Sequence, residues 1–180
     1  MKIIGITGTL GAGKGTIVEY LVGTYHFRHF SVRALVSEHI RTMGLPVNRD
    51  NMVLVANGLR ERHGPSILVE MLYRSAVEDG TDCVIESIRT PGEIEALRSK
   101  GMFTLFAVDA MPEIRYERIR GRNSETDRIS YATFLENERR EMESNDPNHQ
   151  NLKACIALAD HVFMNNGSKR ELFDQVDVVL

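Results

Sequence analysis

Four glycines, Gly8, Gly11, Gly13 and Gly15, fall inside the segment GTLGAGKGT at residues 8–16, between a short apolar run and a stretch of helical pattern. Glycines in one turn are costly to order, because each loses more backbone freedom on folding than any other residue. What they provide is a main chain without Cβ obstruction, whose successive N–H groups can turn inward around a polyphosphate at a helix N-terminus. Lys14 adds a positive charge on a long stem that reaches the outer phosphates, and Thr16 offers a hydroxyl to Mg2+ or to a phosphate oxygen. Gly8, Gly11, Ala12, Gly13, Lys14, Gly15 and Thr16 are therefore the residues expected to hold ATP. The segment departs once from the pattern G-x-x-x-x-G-K-[ST]: Gly15 takes the Ser/Thr place and Thr16 follows one position later.

The rest of the chain alternates short apolar runs with longer helix-period segments, the pattern of βαβ units. The expectation is an α/β fold, a five-stranded parallel sheet flanked by helices, in one domain, as 180 residues allow. The strands are predicted at Lys2–Thr7, Phe27–Ser31, Cys83–Glu86, Phe103–Asp109 and His161–Asn165. Between the second and third, helical periodicity over 32–80 is interrupted near Gly44-Leu45-Pro46 and Gly64-Pro65-Ser66, which predicts two or three helices. This insertion should sit over the carboxyl ends of the strands, where α/β proteins hold ligands. Later helices are predicted over Pro112–Gly121 and Tyr131–Ser144, with a polar loop at Arg122–Asp127 between them. A last helix follows the turn Asn165-Asn166-Gly167-Ser168, with Ser168 as its cap.

Composition narrows the function classes. No apolar run is long enough for a membrane span, and the amino terminus lacks the pattern of an export signal. Cys83 and Cys155 lie far apart in separate elements, which reads as a reduced, cytoplasmic setting and not as a disulfide framework. A net charge of -3 leaves no electrostatic footprint for duplex nucleic acid, but a small anionic ligand held by local arginines is compatible with it. Oligomeric state is not legible.

Cationic and acidic candidates cluster after the expected strands. Glu86 puts a carboxylate at the end of the third strand, where it can hold Mg2+ or its waters. Arg33 directly follows the second strand, and Asn57 and Arg60 share one helix face at i and i+3; with Arg89 they are candidates for an acceptor. Arg118 and Arg122 follow the fourth strand, and a planar guanidinium suits the peripheral oxygens of a phosphoryl group.

The run G-x-x-G-x-G-K-G-T is similar to the P-loop of adenylate kinase and other nucleoside monophosphate kinases, which also carry G-K-G-T. This resemblance implies a P-loop NTPase with a helical insertion binding the acceptor over 32–80 and a short lid over 118–130 that closes over ATP. Arg118 and Arg122 match the spacing R-x-x-G-R, whose arginines reach the transferring phosphoryl in that family. Glu86 to Arg89 resembles D-G-x-P-R, with the acid longer by a methylene and the arginine one residue nearer; the resemblance implies that Arg89 grips the acceptor phosphate. It also implies that the turn bearing Asn166 lies against adenine. Dephospho-CoA kinase, similar in size and P-loop, carries an aspartate after the second strand; here Phe30-Ser31-Val32-Arg33-Ala34 puts a cation there. The expectation is ATP- and Mg2+-dependent phosphoryl transfer to a nucleoside or deoxynucleoside monophosphate. The alternatives are transfer to a ribose hydroxyl, as in dephospho-CoA kinase, and a non-catalytic nucleotide-binding regulatory module.

Overall fold

The computed structural model describes residues 1–122 and 129–180. Five strands, β1 (Ile3–Gly8), β2 (Arg28–Ser31), β3 (Cys83–Glu86), β4 (Phe103–Asp109) and β5 (His161–Met164), form one sheet in the order β2-β3-β1-β4-β5. Every pairing is parallel. The predicted α/β architecture and all five strands are present, with boundaries within a residue.

Side-chain alternation along the strands explains why helices must cover both faces. Ile3, Ile85 and Leu105 point into one core, and Ile4, Ile6, Val84, Phe106 and Val108 into the other. The second core is closed by α1 (Lys14–Tyr25) and α9 (Lys169–Asp177), through Ile17, Leu21, Leu172 and Val176. The first is closed by α2 (Val32–Thr42), α3 (Arg49–His63), α4 (Ile67–Asp79), α5 (Pro91–Arg98) and α8 (Leu152–Ala157).

The stretch 32–80 therefore holds three helices, broken at Gly44 and Gly64, whose φ values of 70° and 101° few other residues adopt. α4 packs on β2 and β3 as a crossover helix, while α2 and α3 pack together. α6 (Pro112–Gly121) and α7 (Tyr131–Met142) flank the segment 123–128, so most of the polar loop predicted at 122–127, and the middle of the lid expected over 118–130, lie outside the described residues. Ser168 caps α9 as predicted, in a reciprocal capping box with Glu171. Two short helices were not anticipated: α8, after the break at Asp146-Pro147-Asn148, and α5. The latter was readable, since Thr90-Pro91-Gly92-Glu93 has proline at the first helical position and the capping-box spacing. Among the described residues no helix is long and apolar enough to cross a membrane.

Candidate functional site

β1 hands the chain to the glycine turn at the carboxyl edge of the sheet, and α1 starts at Lys14. Gly13 is its N-cap at φ 111°, no side chain caps the helix, and its first turn holds no acid. The N-terminal amides and the positive end of the helix dipole are thus available to an anion. The turn is held from behind. Asn165 donates its amide to the Ala12 carbonyl at 2.8 Å, so close that a Cβ on Gly13 would stand 2.3 Å from Asn165 Nδ2. Buried Arg115 donates to the carbonyls of Leu10 at 3.3 Å and Ala110 at 2.7 Å, and pairs with Glu138 at 2.7 Å. Neither Asn165 nor Arg115 was singled out from sequence, because their role is support from distant elements. Asn166, the expected adenine contact, is exposed and accepts from the Met111 amide at 2.8 Å.

Lys14 lies across the mouth of the turn, its ammonium donating to the carbonyls of Gly8 at 2.7 Å and Thr9 at 2.8 Å. Burial, then the Arg89 guanidinium, lower its pKa to about 7 against the opposing pull of Glu86 and Glu141. A phosphate there would supply the missing negative charge. The pocket in front of it, about 650 Å3 including its mouth, is lined by the turn together with Arg33, Glu86, Ser87, Arg89 and Arg122. Thr16 stands in the first turn of α1, partly exposed.

Glu86 ends β3 beside β1, paired in register with Ile6 on one side and Ser31 on the other. Burial pushes its carboxyl up, but hydrogen bonds from His29 and Ser31 and the charges of His29 and Lys14 bring it below the ordinary value. Ser31 Oγ donates to Oε1 at 2.8 Å. Thr16 and Glu86 supply a hydroxyl and a carboxylate, hard oxygens of the kind Mg2+ takes alongside phosphate and water. Among the described residues there is no group of three His, Cys, Asp or Glu that could hold a metal ion. Ser87, at φ 69°, occupies the left-handed region where the resembling D-G-x-P-R has glycine.

A second pocket of about 570 Å3 including its mouth opens between α2, α3 and the end of β3. Its wall is aliphatic, from Val32, Val36, Met52, Val53 and Ala56, and its floor is cationic, from Arg33, Arg49, Arg60 and Arg89. Arg33, Ser87 and Arg89 line both pockets. The structure binds Arg60 closely: its Nε and Nη2 both donate to Glu93 Oε1, at 3.2 and 2.8 Å, and Nη1 reaches Asn57 Oδ1 at 3.4 Å. The fork expected to grip an acceptor is thus engaged by a carboxylate, and Asn57 meets Arg60 and not the pocket. Arg89 donates through Nη1 to Glu141 Oε2 at 2.8 Å and Gln150 Oε1 at 2.9 Å. Glu141 also accepts from Arg49 Nη2 at 2.6 Å. Burial raises the Glu141 pKa, but Arg89, Arg49 and Lys14 overrule it and the net shift is downward. Glu93, Glu141, Arg49 and Gln150 were not expected from sequence; only the capping-box spacing of Glu93 gave a signal.

Arg118 and Arg122 stand at the end of α6, before the undescribed segment. Nη1 of Arg118 is buried and lacks a hydrogen-bond partner among the described residues. Burial, then the neighbouring Arg122 charge, lower the Arg118 pKa, an arrangement that an anion between them would relieve. Arg122 lines the P-loop pocket.

Comparison with known proteins agrees with this geometry. A family model described as an AAA domain matches residues 4–146. A UPF0200 protein of Methanococcus maripaludis strain C7 is 31% identical over 185 residues, covering 100% of this chain and 96% of its own. Among solved structures, shikimate kinase from Bacteroides thetaiotaomicron superposes with a TM-score of 0.56 at 13% identity, covering 99% of this chain and 95% of that one. A gluconokinase from Sinorhizobium meliloti 1021 gives 0.53 at 15%, covering 97% and 88%. At those identities the likeness is one of fold, that of the P-loop kinases.

Proposed function

Because the chain belongs to the AAA domain family and to the UPF0200 proteins, with a P-loop kinase fold, we propose that it transfers the γ-phosphoryl of ATP to a nucleoside or deoxynucleoside monophosphate. The observation that carries this reading is the sharing of Arg33, Ser87 and Arg89 by two pockets, one at the P-loop and one under the helical insertion. Two anions seated in them would meet at the same guanidinium groups, and positioning together with electrostatic stabilisation is nearly all that phosphoryl transfer asks of a protein.

In this mechanism the turn amides and Lys14 hold the donor phosphates, and Thr16 and Glu86 would hold Mg2+, which would supply neutralising charge to those phosphates. Arg33 and Arg89 orient the acceptor. One of its phosphate oxygens attacks the γ-phosphorus, the bond from that phosphorus to the β-bridging oxygen breaks, and ADP leaves. Arg118 and Arg122, at the edge of the proposed lid, bind the peripheral oxygens and stabilise the transition state.

A hydroxyl acceptor would need a base. The carboxylates lining the pockets, Glu86 and Glu141, are both held below the ordinary glutamate value, which makes each a weak proton acceptor and favours a phosphate acceptor. ADP release measured over the common monophosphates and dephospho-CoA tests this. Turnover with a monophosphate is expected; turnover with dephospho-CoA alone would move the assignment to the hydroxyl kinases. Tight nucleotide binding without acceptor-dependent turnover would make the chain a regulatory module.

A further inference from the structure

Arg89 is fixed at its main chain and at one end of its side chain. Its backbone N–H donates to Glu93 Oε2 at 2.7 Å and its carbonyl accepts from Asn151 N at 2.9 Å. Nη1 carries two hydrogens, and they go to Glu141 and Gln150. Among the described residues no hydrogen bond engages Nε or Nη2. Those two atoms form the edge of a guanidinium that forks two oxygens of a phosphate, and Arg89 lines both pockets. Glu141 is the charged member of this clamp. It is 4% exposed, comes from α7 beyond the segment 123–128, and also grips Arg49 at the start of α3.

We propose that Glu141 is a positioning residue for phosphoryl transfer: by taking Nη1 it turns the Nε and Nη2 edge of Arg89 toward the ligand and locks it there. Its second contact, with Arg49, ties that orientation to the insertion, so α7, α3 and the end of β3 are set by one carboxylate. A neutral amide at the same place would accept a hydrogen bond but not hold two guanidinium groups by charge, and Arg89 would rotate between productive and unproductive positions. Loss of orientation, more than loss of binding, is the expected defect.

This inference rests on the phosphotransfer reading for its kinetic consequence, but not for its structural one. The test is steady-state turnover of Glu141→Gln with ATP and the acceptor that the wild type uses, together with nitrogen-15 NMR of the arginine side chains. In Glu141→Gln kcat should fall about 10- to 100-fold, with KM for ATP changed less than about threefold. In an Arg89→Ala background the same substitution should add little to the loss of kcat, whereas a purely structural defect would add in full. Rotation of the Arg89 guanidinium should be slow in the wild type and fast in Glu141→Gln. Unchanged kcat, or a fully additive double variant, would overturn the proposal. If the wild type transfers to no acceptor, the functional reading falls and the guanidinium signals alone decide: freed rotation in the variant supports the clamp, and unchanged rotation refutes it. Should Glu141→Gln fail to fold, Glu141→Asp, shorter by a methylene, is measured in the same way.

Discussion

Arg60 and Glu93, from α3 and α5, form an ion pair closed to solvent, with Nη2 to Oε1 at 2.8 Å and side chains 1% and 0% exposed. The other oxygen of Glu93 accepts from the backbone of Arg89 and Thr90, so one carboxylate caps a helix, neutralises a buried guanidinium and fixes the main chain of a site residue. Removing either partner leaves an uncompensated buried charge. Glu93→Ala and Arg60→Ala should each cost about 3–5 kcal/mol, and the double substitution less than their sum. Chemical denaturation of the four proteins measures this; additive losses would show that the pair is not a unit.

Among the described residues Lys14 hydrogen-bonds only to the carbonyls of Gly8 and Thr9, so Lys14→Met should fold like the wild type and lose nucleotide affinity. At ATP concentrations about 100-fold above the wild-type Kd the ligand stabilises by about 2.7 kcal/mol, and that gain should vanish in the variant. Thermal denaturation with and without ATP and Mg2+ reads it directly. An undiminished shift would remove the P-loop from the binding site.

The Glu141 carboxylate carries a definite pH signature. Its folded pKa lies below the ordinary value of 4.5, so its contribution to stability is complete above that value and is lost as pH falls through the lower, folded one. Glu141→Gln should therefore be less stable than the wild type near pH 7, by roughly 1.5–3 kcal/mol for hydrogen bonds to charged groups. The gap should close on acidification below the glutamate range. Denaturation midpoints across that range check it, and a gap that widens in acid would contradict the assignment.

Ser87 holds a positive φ that an L side chain enters at a cost of about 1–2 kcal/mol. Ser87→Gly should relieve this, less the greater entropy of glycine in the unfolded chain, for a net gain of up to about 1 kcal/mol. A loss of stability in the urea midpoint would mean that the Ser87 hydroxyl contributes more than the backbone strain.

The sequence by itself determined the architecture and the phosphate turn. Alternating apolar runs name the strands because a parallel sheet buries both faces, and four glycines with Lys14 and Thr16 name the turn because local main-chain geometry is written in consecutive residues. Even α5 was legible, since Thr90 and Glu93 stand three apart and cap one another. Long-range pairing decided the rest. Asn165 and Arg115 hold the turn from elements far along the chain, Glu93 binds Arg60 across thirty-three positions, and Glu141 binds Arg89 across fifty-two. A charged residue on a helix carries no local mark of which distant partner it will meet, because that depends on how strands and helices pack. Only the folded chain could show that Arg60 answers an internal carboxylate while Arg89, held through Nη1, lines two pockets.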